Sequence, residues 1–522
     1  MLFRSLRGLW PPTTPTGQVV VTTRRKDAAL RGDRRQWIDV GVFSADEARA
    51  HLSATLREQP HLLDGAGELA RDLGYLPLAL AQAGAYLLDR DLSCARYRVR
   101  LADRRRTLAS LLPEGDELPD EHRATVDATW SLSVEQANML PPKGFARPLL
   151  AVASMLDANG SPPDVFTAAP VLRLLATDDE QEARDGLACL RRLSLVTLSD
   201  TVRVHALVQR ATRDSMPADR LADVARVAAD ALLQVWPEID TARGPMLRAN
   251  AAAVRAAGAP DGHPVLFRAG RSLGESGAVA DAADYFDHLP IALSADDPDR
   301  LRARRDSAYW RGQATGHADA VTVFAALLAD HRRVLGPDHP DTLATRHELA
   351  RSRGEAGDPA TAVTECAALL ADQTRILGAD HPDTLATRHD LARWRGDAGD
   401  VAGAVTASEA LLVDLNRVLG ADHPHTFNTR HNLAYWRAKA GDPAGAISDF
   451  EALLADRLRV LGADNPQTLV TRHDLARRRA ESGDRAAAVA ELETLLADQL
   501  RILGPDHPHT GVTRASLAAW RG

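Results

Sequence analysis

In the second half of this 522-residue chain, histidine and a usually basic partner recur four positions apart: His347 with Arg351, His389 with Arg393, His431 with Tyr435, His473 with Arg477. On a helix that spacing puts both members on one face. Repeated along an array, the face would form a basic stripe suited to an acidic peptide or acidic protein surface. The competing reading is that the same side chains bridge to aspartates of neighbouring segments. A second column, His339, His381, His423 and His507, has the element type of a metal ligand. Its members lie whole repeats apart, too far to share one ion, so they read as loop-packing residues. A third column, Arg304, Arg346, Arg388, Arg430, Arg472 and Arg514, is present in every copy and reads as scaffold. Trp310, Trp394, Trp436 and Trp520 share one position and read as packing between helices.

Composition removes several other chemistries. Cys94, Cys189 and Cys366 are the only cysteines, with neither disulfide-framework nor zinc spacing. No apolar run reaches the length of a membrane helix, and the first twelve residues are too interrupted for a signal peptide, so a cytoplasmic, non-membrane protein is expected. A formal charge of −8 gives no general nucleic-acid footprint. Lysine is confined to Lys26, Lys143 and Lys439.

The elements that must position these columns follow from a 42-residue period: LGPDHPDTLATRHELA from Leu335, LGADHPDTLATRHDLA from Leu377, and further copies from Leu419, Leu461 and Leu503. Gly357, Gly399, Gly441 and Gly483 suit the left-handed residue that ends a first helix, and the aspartates that follow suit the N-cap of a second. Ala362, Val363, Leu369, Leu370 and their equivalents make an apolar stripe that one hairpin cannot bury, so the hairpins must stack. The fold expected is mostly α, a solenoid over 264–522. Its LGxDHPxT…LA…G…A…LL pattern resembles the tetratricopeptide repeats of the kinesin-light-chain type, which implies a non-catalytic groove for a peptide or partner domain. The last copy stops after one helix at Trp520, Arg521 and Gly522, and the apolar face left there predicts self-association.

Towards the N-terminus, Gln18–Arg25 (QVVVTTRR) reads as a buried strand ending in two hydroxyls and an arginine. A helix is expected from Ser44 to Gln59, opened by a Ser44/Glu47 capping box, and another from Gly65 to Leu73. Then comes LGYLPLALAQAGAYL, and later a hairpin of Leu195–Leu198 with Val202–His205 after a helix near 182–193. The order of these fragments resembles the NB-ARC or STAND signal-transduction ATPases of the bacterial branch. That resemblance implies phosphate sensing at Thr22, Thr23 and Arg24, an adenine contact at Pro77 within Tyr75–Ala79, and a β-phosphate contact at His205. It also implies a partial α/β nucleotide-binding remnant over 1–43, a helical subdomain over 44–118, a winged-helix-like domain over 119–218 and linking helices over 219–263.

A phosphate loop of the form GxxxxGK[ST] would complete such a site, but no lysine of this chain lies in that context. The acidic strand for Mg²⁺ is likewise missing before Val19, so the chain reads as the C-terminal portion of a longer ATPase, without hydrolysis of its own. Residual ADP or ATP binding is the only cofactor implied. The expected function is a non-catalytic signalling or scaffold protein. Two alternatives remain: a transcriptional regulator using the winged helix, with Arg184, Arg191 and Arg192 as contacts, or an ATPase whose phosphate loop is on another chain.

Overall fold

The computed structural model describes residues 42–89, 91–102, 126–238, 243–289, 294–505 and 507–521. The chain divides into two compact units, Met1–Val235 with Ala256–Ala259, and Trp236–Arg255 with Pro260–Gly522. The strand expected at Gln18–Arg25 lies outside the described residues.

In the first unit, α1 (Ala45–Thr55) starts where sequence chemistry places it. The Ser44 hydroxyl accepts from the Glu47 amide, and the Glu47 carboxylate accepts from the Ser44 amide at 2.7 Å. Helices α2 (Ala66–Asp72), α3 (Pro77–Asp89) and α4 (Cys94–Ala102) follow. Their apolar faces meet α1 in one core containing Leu52, Leu56, Leu69, Leu80, Leu87 and Tyr97. After α5 (Val126–Met139), α6 (Ala146–Ala153), α7 (Ala169–Leu175) and α8 (Glu180–Arg192) comes the hairpin. Here β1 (Thr197–Leu198) pairs antiparallel with β2 (Val202–Arg203), with Thr197 opposite Arg203 and Leu198 opposite Val202. Ser161 adds a bridge to Val202. Two helices, α9 (Ala206–Asp214) and α10 (Ala218–Val235), complete the unit.

The second unit begins with α11 (Gly244–Ala256) and continues as helix pairs. These are α12 (Pro264–Glu275) with α13 (Val279–His288), α14 (Pro298–Thr315) with α15 (Ala318–Val334), and α16 (Pro340–Glu355) with α17 (Pro359–Ile376). They continue as α18 (Pro382–Asp397) with α19 (Val401–Val418), α20 (Pro424–Lys439) with α21 (Pro443–Val460), and α22 (Pro466–Glu481) with α23 (Arg485–Ile502), before a last helix α24 (Pro508–Arg521).

Each hairpin turns as its residues require. Gly357 adopts φ 98°, which ends α16 at no steric cost, and Asp358 then accepts from the Thr361 amide at 3.1 Å to open α17. Neither helix of a pair buries its apolar stripe alone. Ala350 of α16, Ala362 and Cys366 of α17, and Leu391 and Trp394 of α18 form one cluster, so the core lies between copies as much as within them. Burial pushes the Cys366 thiol up, which leaves it a packing residue.

Candidate functional site: the first-helix face of the array

The His339 column is structural in a way that spacing did not disclose. In His339, His381, His423 and His507 the ring Nδ1 accepts from the backbone amide two residues on, at 3.1 to 3.2 Å, making each histidine the N-cap of a first helix. A ring nitrogen that accepts is unprotonated, so the proton of the neutral ring sits on Nε2. Asn465, the column's one substitution among these copies, caps α22 through its side-chain oxygen at 2.9 Å. That exchange of histidine for asparagine before a proline was the available sign of a cap. Behind the histidine caps a threonine closes the loop: Thr384 donates to the Gly378 carbonyl at 2.9 Å, and Thr342, Thr426 and Thr510 do the same in their copies.

The arginine column ties the two helices of one copy together. Arg346 meets Asp372, Arg388 meets Asp414, Arg430 meets Asp456 and Arg472 meets Asp498, at 2.8 to 2.9 Å. Each aspartate is shared with a further arginine that reaches back to the preceding loop, as Asp414 is with Arg417, whose fork also holds Asp380 at 2.6 and 2.9 Å. Arg514 donates to the Pro505 carbonyl instead.

The histidines of the stripe look into the next copy. His347 Nε2 lies 3.0 Å from Asp390, and His431 Nε2 lies 3.0 Å from Asp474. At the same offset His389 meets Asn432 at 3.1 Å, with Thr429 at 2.8 Å, and His473 meets Ser516 at 2.9 Å. Burial works to raise the Asp390 carboxyl, but His347 outweighs it and holds that carboxyl well below the usual range. Burial likewise opposes the charge on His347, and the Asp390 carboxylate reverses the effect and raises its pKa. The ring of His389 bonds to an amide and a hydroxyl instead of a carboxylate. Burial takes it down to about 4, so it is neutral at pH 7.

The second members of the pairs are less enclosed. Arg351 stacks over Tyr309, 4.9 Å from the ring centroid, with Glu348 at 3.9 Å. Arg393 pairs with Glu355 at 2.7 Å and Arg477 with Glu481 at 3.6 Å; their side chains are 32% and 31% exposed. Tyr435 is half-buried, with Arg478 5.0 Å and Arg477 5.9 Å from its ring centroid. The structure therefore brings the four positions onto one face of successive first helices, while each arginine already has a carboxylate within 4 Å.

In the first unit, His205 caps α9, accepting from the Leu207 amide at 3.2 Å, and its Nε2 lies 3.4 Å from the Gly74 carbonyl. Burial lowers its pKa, although the Gly74 contact opposes this. The Gly74–Tyr75 turn leads directly into Pro77 at the start of α3, so His205 and Pro77 share one locality. Tyr75 sits at φ 57°, left-handed backbone that glycine adopts freely. Thr22, Thr23 and Arg24 lie outside the described residues. Of the arginines considered for DNA, Arg184 is paired with Glu180 at 2.5 Å on its own helix.

Residues 425–497, 316–341 and 384–425 match tetratricopeptide repeat families. A putative kinesin light chain with nearly identical TPR-like repeats, from Podosopora anserina, is 30% identical over 39% of this chain and 95% of its own, with a TM-score of 0.32. These segments carry tetratricopeptide repeats. The array also resembles BtubC (BKLC) from P. vanneervenii, at 15% identity over 44% of this chain and 92% of that one (TM-score 0.33). A STAND protein with a tetratricopeptide repeat sensor from Pyrococcus horikoshii aligns with 92% of this chain and 73% of its own, at 10% identity and a TM-score of 0.41. No curated protein matches. Among the described residues, no helix is long and apolar enough to cross a membrane.

Proposed function

We propose that this protein is a non-catalytic signalling or scaffold component whose tetratricopeptide-repeat array binds a protein or peptide along its first-helix face. The observation that carries the reading is the row Arg351, Arg393, Tyr435 and Arg477, half-buried side chains fixed by neighbouring copies. Arginine and tyrosine are the residue types that concentrate binding energy at interfaces, and side chains already held in place lose little entropy on binding. An acidic segment is the favoured partner class, because Arg393 and Arg477 keep about a third of their surface open for a second carboxylate.

In this reading the first unit is an NB-ARC-type module, with a helical subdomain, a winged helix around β1 and β2, and weak ADP or ATP contact through Pro77, His205 and the Thr22–Arg24 segment. The support is the shared locality of His205 and the turn before Pro77, residues far apart in sequence.

Two titrations test the two parts separately. Calorimetry of an acidic peptide library against the full chain should give micromolar binders that lose at least tenfold in affinity in an Arg393→Ala/Tyr435→Ala variant. Retention of full affinity would remove the first-helix face from the mechanism. Titration of ADP should give heat that His205→Ala abolishes; heat unchanged by His205→Ala would place any nucleotide elsewhere.

A further inference from the structure

One buried position changes character from copy to copy on the inner side of the second helices: His331, Gln373, Leu415, Arg457 and Gln499. In α21 it is Arg457, only 1% exposed, and among the described residues no carboxylate bonds to it. Its guanidinium fills the crevice between α20 and α22. There it donates to the Gln467 carbonyl at 2.8 Å, the Thr471 hydroxyl at 2.6 Å and the Asn428 side-chain oxygen at 2.9 Å.

One copy later the same crevice, between α22 and α24, lacks that side chain. Gln499 takes the place of the arginine and Thr513 that of Thr471. A cavity of about 220 Å³ opens there, lined by Val470, Asp474, Arg477, Gln499, His509 and Thr513 among others. Thr513 and Gln499 are 0% and 1% exposed, and Thr513 Oγ1 and Gln499 Oε1 have no hydrogen-bond partner among the described residues. Buried polar atoms left unpaired are costly, so an incoming group that bonds to them gains more than it would at an open surface.

Charge selects the kind of group. The crevice keeps Asp474, where the preceding copy has Asn432. Burial opposes ionisation of Asp474, but the contacts from His431 at 3.0 Å and His473 at 3.4 Å keep it ionised. Arg477 also lines the crevice, 3.6 Å from Glu481, a carboxylate that Arg478 holds more closely at 2.6 Å. Asp474 thus brings a carboxylate to a cavity that stands, one copy on, where a guanidinium fills the crevice next door.

We infer that the crevice between α22 and α24 receives the guanidinium of an arginine side chain from the protein or peptide that the array binds. The inference rests on the partner-binding reading above and adds a basic residue to the segment recognised there. The planar fork would donate to Thr513 Oγ1 and Gln499 Oε1, as Arg457 donates to Thr471 and Asn428, with Asp474 as the counter-charge.

The test is calorimetric titration of N-acetyl-arginine amide into the full chain at about pH 8, where imidazoles are neutral. N-acetyl-citrulline amide, which keeps the shape without the charge, and N-acetyl-lysine amide, which keeps the charge without the fork, are the controls. The arginine derivative should bind in the millimolar range and the other two at least tenfold more weakly. Gln499→Arg should abolish binding without lowering the melting temperature, since its own side chain then fills the crevice as Arg457 does. Thr513→Val should weaken binding by about tenfold, the loss expected for one hydrogen bond to a charged group. Equal binding of the citrulline derivative, or undiminished binding by Gln499→Arg and Thr513→Val, would overturn the inference. Should the arginine derivative give no heat while an acidic peptide still binds and responds to the Arg393→Ala/Tyr435→Ala change, the crevice fails and the partner-binding face stands. Binding of the arginine derivative with no peptide response would keep the crevice and remove the first-helix face.

Discussion

A β-carbon added to Gly354 of α16 would lie 2.5 Å from Cε2 of Trp394, the indole that the following first helix, α18, lays across it. Gly396 and Trp436 repeat the relationship one copy on, and Gly274 stands under Trp310 at 2.4 Å. The absent side chain is what lets successive first helices close on a buried tryptophan. In an exposed helix, glycine to alanine gains about 1 kcal/mol. Here a rigid indole blocks the methyl group, and overpacking of this kind costs about 1 to 3 kcal/mol. Gly354→Ala is therefore expected to lower the melting temperature by several degrees, and a Trp394→Leu change in the same chain to recover part of the loss. A melting temperature raised by Gly354→Ala alone would show that the helices have room to spare.

Acid should act through His389. Its folded pKa is lowered to about 4 against an ordinary value of 6.5, so between those values the unfolded chain binds a proton that the folded chain refuses. The stability contributed by its neutral ring is fully present above pH 6.5 and is lost as pH falls towards 4. In denaturant melts across that window, His389→Gln should flatten the decline by close to one proton, while leaving stability at pH 8 less affected. A slope identical to that of the parent chain would mean that the ring titrates freely.

The capping histidines can be exchanged by a rule that the array itself supplies. His381→Asn should be nearly neutral, because Asn465 already caps α22 in that way. His381→Ala should cost about 1 kcal/mol, the usual value of a lost N-cap. Denaturant midpoints for the two variants separate a capping role from loop packing, for which alanine and asparagine would be similarly damaging.

The rim pairs invite a salt titration. Arg417 and Asp380 are 55% and 56% exposed, so their attraction is open to solvent and to counter-ions. The difference in melting temperature between the parent chain and Arg417→Ala should be measurable at low ionic strength and should vanish near 1 M salt, where screening acts within about 3 Å. A difference independent of salt would assign Arg417 a packing role instead.

What could be read in the sequence was whatever local chemistry fixes. Gly357 followed by Asp358, and Ser44 three residues before Glu47, leave their turn and caps almost no alternative, and the structure has them as expected. The hairpin of β1 and β2 was visible for the same reason. Contacts chosen across copies were harder to see. His347 and His389 are equivalent by spacing, but the residue 43 positions on is Asp390 for one and Asn432 for the other, which gives the first ring an ion pair and the second a neutral contact. The basic stripe is legible from one helix alone, whereas Glu355, the carboxylate beside Arg393, enters from the neighbouring copy. Gly354 carries no signal of its own, because a helical glycine shows no pattern until its partner tryptophan is known. His205 against Gly74 joins residues 131 positions apart, beyond any local rule.

The pairing of arginine with aspartate at fixed offsets makes the array divisible. Excision of residues 379–420, one full period, would join Gly378 to Ala421 and leave the pairs within each copy in place, while His347 would meet Asn432 instead of Asp390. Arg346 would keep Asp372, Arg375 would keep Asp338, and Gly354 would receive Trp436 in place of Trp394. A gene with such internal similarity can therefore gain or lose whole copies by unequal recombination without passing through a broken protein. The length of the array becomes a heritable variable, open to change in steps of one hairpin while the frame that joins the steps stays constant.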